Sequence, residues 1–201
     1  MDKSLFYSLI TNLLFIFGMI GYLFMDILDY KHSNLFDLFS TNLIYILLAA
    51  IFVISSTLQF FVIYYLSKST QRSYILIFSC IFDKIGSDAY LLGAIFTAIL
   101  STKTATISTL TTFGVSAFVV GAVFNLMIPN MNKLSICADY FNLFGSLFYL
   151  FASMMTQISL GQMIIILGDV IYFLSSIVYL ICWFEDRRRI SSQQDQYDLF
   201  Q

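Results

Sequence analysis

Long apolar runs separated by short polar links make up nearly the whole chain, and one small motif recurs inside them. Its form is a small residue, any residue, a large aliphatic, then an aromatic or second aliphatic. Gly145-Ser146-Leu147-Phe148 shows it best, within the run from Leu143 to Met155. The other copies begin at Gly21, Ala49, Gly93, Gly121 and Gly168, so successive starts are 28, 44, 28, 24 and 23 residues apart. Each interval is roughly one membrane-length helix of about 20 residues plus a short connection. The pattern predicts an all-α, polytopic transmembrane bundle with six spans paired as three helix hairpins.

The runs place the spans at about 5–27, 41–66, 74–100, 105–128, 135–156 and 160–183, a single membrane domain over 1–190, with a polar tail over 191–201. Leu35 to Phe39 reads as connection or as an interfacial helical turn leading into the second span. The third span is the hardest to place, because Asp83-Lys84-Ile85-Gly86-Ser87-Asp88 interrupts its apolar run. One long helix is the favoured reading, with Lys84 and Asp88 neutralising each other at i,i+4 spacing. A surface-lying segment followed by a short tilted span is the alternative. Threonines between Ser101 and Thr112 fit a loop, or a helix start with hydroxyls bonded back to the backbone. Pro129, the only proline, marks the end of the fourth span. Trp183 is expected at the membrane interface.

Composition agrees. Apolar residues are 59% and charged residues 11% of the 201 positions, against about 45–50% and 25% in globular domains. Ten basic and twelve acidic side chains cannot clothe a water-facing surface of this size. The pI near 5.1 excludes a nucleic-acid-binding surface. The first run is too long for a signal-peptide core and reads as a retained span. Cys80, Cys137 and Cys182 are far apart and read as apolar packing residues. With six spans, Lys3, Lys68, Arg72, Lys133, Arg187, Arg188 and Arg189 share one side, and Lys31 and Lys103 the other. The positive-inside rule then puts both termini in the cytoplasm, or in the matrix of a mitochondrion.

Small residues let membrane helices approach closely. Several copies of the motif carry a second small residue two turns on: Ala49 with Ser56, Gly145 with Ala152, Gly168 with Ser175. Helix packing through Gly21, Ala49, Gly93, Gly121, Gly145 and Gly168 is therefore expected. The segments Gly145 to Ser153 and Gly168 to Ser176 resemble the YrhK-like membrane domain. Ala49 departs from its glycine, and Leu28, Leu100 and Ile128 from its later small residue. The resemblance implies consecutive helix pairs and no particular chemistry.

Asp169 falls about ten residues into the sixth span. An ionised carboxylate near the midplane is costly, so it must face protein or water, or carry a proton. It is either a proton or cation site, or a carboxyl locking a helix pair through Ser, Thr or Asn. Asp139 and Asn142 lie one turn apart at the start of the fifth span, and Gln59 and Asn125 lie inside spans as interhelical glue. Arg187, Arg188 and Arg189 could meet anionic headgroups such as cardiolipin. His32, the only histidine, stands in a link, so paired-histidine haem ligation is excluded. No metal set, cofactor motif or catalytic constellation is recognisable. The expectation is a non-catalytic accessory subunit packed with phospholipid against other membrane subunits, as in a respiratory assembly of the mitochondrial inner membrane. The alternative is a small transporter or channel using Asp169.

Overall fold

The computed structural model describes residues 3–31, 35–66, 74–100, 105–128, 132–155 and 157–198, with side chains through 189. Within them lie six helices and no strand: α1 Lys3–Tyr30, α2 Leu38–Leu66, α3 Tyr74–Leu100, α4 Ala105–Leu126, α5 Lys133–Met154 and α6 Ile158–Asp198. Pro129, His32, Lys68, Arg72 and Lys103 fall outside the described residues. Five helices are long and apolar enough to cross a membrane. The exception is α3, which carries Asp83, Lys84 and Asp88 near its middle. It is one unbroken helix, as the favoured reading of 74–100 had it.

Local chemistry explains the ends. Asp37 caps α2, its Oδ1 accepting from the Ser40 N–H at 3.0 Å. Hydrogen bonds from the Ser40 hydroxyl and backbone hold this exposed carboxyl below the usual carboxylate range. Asn132 caps α5 by accepting from the Ser135 N–H at 2.6 Å. The Thr109 and Thr111 hydroxyls bond back to the carbonyls of Ala105 and Ile107 at 2.9 and 3.0 Å. The threonine-rich stretch from Ala105 onward thus belongs to α4.

Each helix packs against its neighbours in chain order, and α6 returns to pack against α1. The result is a closed ring in which neighbours run antiparallel. The return is sealed by Trp183, whose indole Nε1 donates to the Leu5 carbonyl at 2.8 Å. Trp183 is buried, at 4% exposure, and lies in the α1–α6 seam where interface placement was expected. As a helix, α6 runs on past the expected end of the sixth span to Asp198.

The ring reverses the usual order of a soluble protein. Phe17, Phe113, Phe144, Phe151 and Met154 are more than half exposed on the outside. Ser55, Ser79, Ser87, Ser146, Ser175 and Ser176 are buried. Such an outer wall suits lipid, and backbone groups closed within helices are what lipid demands.

Candidate functional site

Three hairpins, α1–α2, α3–α4 and α5–α6, are built in one register. In α5–α6, Gly145 seats the ring of Tyr172 and Gly168 seats Tyr149: a Cβ on either glycine would lie 2.8 or 2.9 Å from the opposing ring. In α3–α4, Gly86 seats Phe118 and Gly114 seats Tyr90, at 2.7 and 3.1 Å. In α1–α2, Gly18 seats Phe52 at 3.0 Å, with Leu48 standing where the second glycine would be. The seated aromatic always follows its own helix's glycine, or Leu48, by four residues. Glycine has no Cβ, which is why a ring fits flat against the opposing backbone.

One bridge repeats as well. In each hairpin a serine hydroxyl donates to a backbone carbonyl of the partner helix. The pairs are Ser55 to Thr11 at 3.2 Å, Ser79 to Gly121 at 3.0 Å and Ser175 to Ala138 at 2.8 Å. Each pair joins the position seven before the seating residue of the first helix to the position seven after it in the second. A hydroxyl satisfied by a carbonyl inside lipid gives direction to packing that apolar contact alone would leave loose.

The six aromatic rings form a belt across the ring of helices. Within hairpins, Tyr22 and Phe52 lie 5.5 Å apart, Tyr90 and Phe118 5.8 Å, and Tyr149 and Tyr172 5.8 Å. Tyr90 also reaches Tyr149 across hairpins at 6.4 Å. On one side of this belt is a chamber of about 440 Å³ with all six helices in its wall. Its wall comes from the N-terminal parts of α1, α3 and α5 and the C-terminal parts of α2, α4 and α6. The chamber therefore occupies the end of the ring where α1 begins.

Two carboxyls line it, Asp83 of α3 and Asp139 of α5, with no Lys, Arg or His among the described lining residues. Asp83 fits because Gly121 faces it: a Cβ there would lie 2.4 Å from Asp83 Oδ1. Tyr179 donates to Asp139 Oδ1. Asp139 Oδ2 has no hydrogen-bond partner among the described residues, nor do Thr11 Oγ1 and Gln59 Oε1. All three belong to lining residues. Such unpaired groups are rare in protein interiors and call for an explanation.

Beyond the belt lies a second acidic layer. Asp26 comes four residues after Tyr22 on α1, and Asp169 three before Tyr172 on α6. The two carboxyls sit on neighbouring helices at the α1–α6 seam, and Asp169 Oδ2 has no hydrogen-bond partner among the described residues. Tyr149 donates to Asp169 Oδ1. The Tyr45 hydroxyl lies 2.8 Å from Asp26 Oδ1 and 2.7 Å from Asp29 Oδ2. Its one proton serves one acceptor at a time.

The residues singled out from sequence are thus distributed over several settings. Asp139 and Asn142 line the chamber, and Asp169 sits beyond the belt. Asp169 pairs with a tyrosine where Ser, Thr or Asn was expected. Asn125 Oδ1 lies 2.7 Å from Ser79 Oγ as interhelical glue, the one Ser79 proton serving it or the Gly121 carbonyl at a time, while Gln59 Oε1 has no partner among the described residues. Among the packing positions, Gly145 and Gly168 seat rings, Gly121 receives Asp83, and a Cβ on Gly21 would collide with the Leu48 side chain. Ala49 is fully buried. Gly93 is slack, its nearest neighbour Thr111 Oγ1 at 3.7 Å. Arg187, Arg188 and Arg189 are exposed, with Arg187 5.6 Å from the Trp183 ring and Arg189 3.9 Å from Glu185.

The belt and Asp83 were not singled out from sequence as a site. A signal for the belt was present: five of the nine glycines are followed four residues later by Tyr or Phe. No family model, curated protein or solved structure matches the chain.

Proposed function

We propose that this integral membrane protein takes a cationic solute into a chamber within its helix ring and passes it toward the opposite face. One observation carries the reading: the chamber lies inside the ring, with Asp83 and Asp139 and no described basic residue in its wall. Buried carboxyls within a bilayer mark ion or substrate pathways. Asp26 and Asp169, past the aromatic belt, continue the acidic line toward the other end. In this reading the belt is the barrier, α3 completes the six spans, and its Asp83 serves the chamber. Both termini lie on the cytoplasmic or matrix side, as Lys3, Lys133 and Arg187 to Arg189 gather there. The resemblance to the YrhK-like domain fits at the level of repeated helix pairs.

Cys80 provides the test, since it lines the chamber while Cys137 is exposed on the outside. In a Cys137→Ala, Cys182→Ala background in nanodiscs, Cys80 should react with a trimethylammonioethyl methanethiosulfonate. It should react at least tenfold more slowly with the sulfonatoethyl analogue, and Asp83→Asn should narrow that ratio. Failure of both reagents to reach Cys80 overturns the reading.

A second reading, an accessory subunit of a larger assembly such as a respiratory complex, has one observation in its favour. Lys84 and Asp88 pair on the outer side of α3, near its middle, with side chains 27% and 48% exposed. Ionisable groups at membrane depth almost always face protein or water rather than lipid. A neighbouring subunit over α3 would shelter them. Recovery of a stoichiometric complex in mild detergent, lost on replacing both residues by leucine, would support this reading.

A further inference from the structure

The cation that suits this chamber can be narrowed from its wall, and this step rests on the proposed chamber. Volume comes first. About 440 Å³ falls within the range of pockets that take drug-sized molecules. A dehydrated metal ion would leave most of it unfilled, and among the described residues no three of His, Cys, Asp and Glu converge. The ligand must therefore bring volume of its own.

The orphaned atoms give the second constraint. Among the described residues, Asp139, 2% exposed, and Thr11, 6% exposed, each have a buried side-chain oxygen without a partner, as does Gln59. All three atoms accept hydrogen bonds, and the matching ligand group is a donor. A positive donor beside Asp139 and Asp83 forms charge-assisted bonds, stronger than neutral ones. A quaternary ammonium has no N–H and would leave these oxygens unpaired. The rings give the third constraint. Tyr22, Phe52, Tyr90, Phe118, Tyr149 and Tyr172 close the inner end of the chamber. Their faces attract a cation and take up an apolar body.

We propose that the chamber binds a protonated primary or secondary organic amine with an apolar, aromatic-sized body. The ammonium group donates to Asp139 Oδ2, with Asp83 supplying the second negative charge. The body lies against the belt. Quaternary molecules of the same size enter but bind more weakly for want of N–H donors, and anionic ones are excluded by charge.

The test uses 2-phenylethylamine as probe, with benzyltrimethylammonium and 3-phenylpropanoate as controls, on the full chain in nanodiscs by titration calorimetry. The amine should bind at least tenfold more tightly than either control. Asp139→Asn and Asp83→Asn should each weaken it at least tenfold. If Asp139→Asn does not fold, Asp83→Asn and prior blocking of Cys80 decide. Equal binding of the amine and the carboxylate, or no change in the variants that fold, overturns the proposal. Absence of amine binding while Cys80 still reacts rejects the amine and leaves the chamber standing. An unreactive Cys80 rejects both.

Discussion

Tyr149 of α5 and Gly168 of α6 fit as ring and notch: a methyl on Gly168 would come within 2.9 Å of Tyr149 Cδ2. The neighbour that would have to yield is a ring held on its far side by Tyr90 and Tyr172. Gly168→Ala and Gly145→Ala should each destabilise by about 1–3 kcal/mol, the range for overpacking. Gly93→Ala meets nothing closer than 3.7 Å and should be neutral or stabilising, because alanine is favoured over glycine in helices by up to about 1 kcal/mol. Thermal unfolding in one detergent checks the order. Equal losses at all three sites would show that the notches do not set the packing.

The Tyr149 hydroxyl and Asp169 join α5 to α6 beyond the belt. Tyr149→Phe should remove that bond while keeping the ring in its notch. A double-mutant cycle with Asp169→Asn should give a coupling of about 0.6 kcal/mol and no more than about 1.7 kcal/mol, the average and the largest value for hydrogen bonds between membrane helices. Zero coupling would mean that the two groups do not share a proton in the bilayer.

Lys84 and Asp88 are worth more as a neutral pair than singly. If α3 spans the membrane as proposed, Lys84→Leu or Asp88→Leu alone leaves one charge on its outer wall, at about 2.5–3.5 kcal/mol on insertion scales. Replacing both should restore much of that loss. Yield of folded protein from membranes measures it, and a double variant worse than either single one would contradict the pairing.

Trp183→Phe keeps an aromatic ring in the α1–α6 seam but deletes the bond to the Leu5 carbonyl. Amide exchange should rise in the first turns of α1 and near Trp183, with α3–α4 unchanged. A uniform rise across all helices would mean that the ring opens as one unit.

Much of the helical architecture was legible, since run length and polar breaks both bear on it. Helix ends agree with the spans read from sequence to within three residues, apart from the end of α6. The phase of the repeat was harder to read. The repeat seen in the structure starts at Gly145 and Gly168, as two copies of the sequence motif do, but elsewhere at Gly18, Leu48, Gly86 and Gly114, where the sequence motif started at Gly21, Ala49, Gly93 and Gly121. A membrane helix is apolar all round, so the polar contrast that fixes the inward face of a soluble helix is missing. Two of the aromatics three residues after the sequence motif's starts face outward, with Phe24 51% and Phe96 38% exposed, whereas Phe52 belongs to the belt. The inward rings come four residues after the starts seen in the structure. The chamber's acids were illegible for another reason. Asp83 and Asp139 are 56 positions apart in the chain, and only closure of the ring brings them to one cavity.

The bond from Trp183 to Leu5 also bears on connectivity. A circle of three equivalent hairpins has no intrinsic first member, and the chain merely happens to be cut between the third and the first. A gene rearranged to start at α3 and finish with α2, with the old ends joined on their shared side by a linker, should assemble into the same circle. The order in which the hairpins leave the ribosome would then be a matter of biosynthesis, separable from the finished shape.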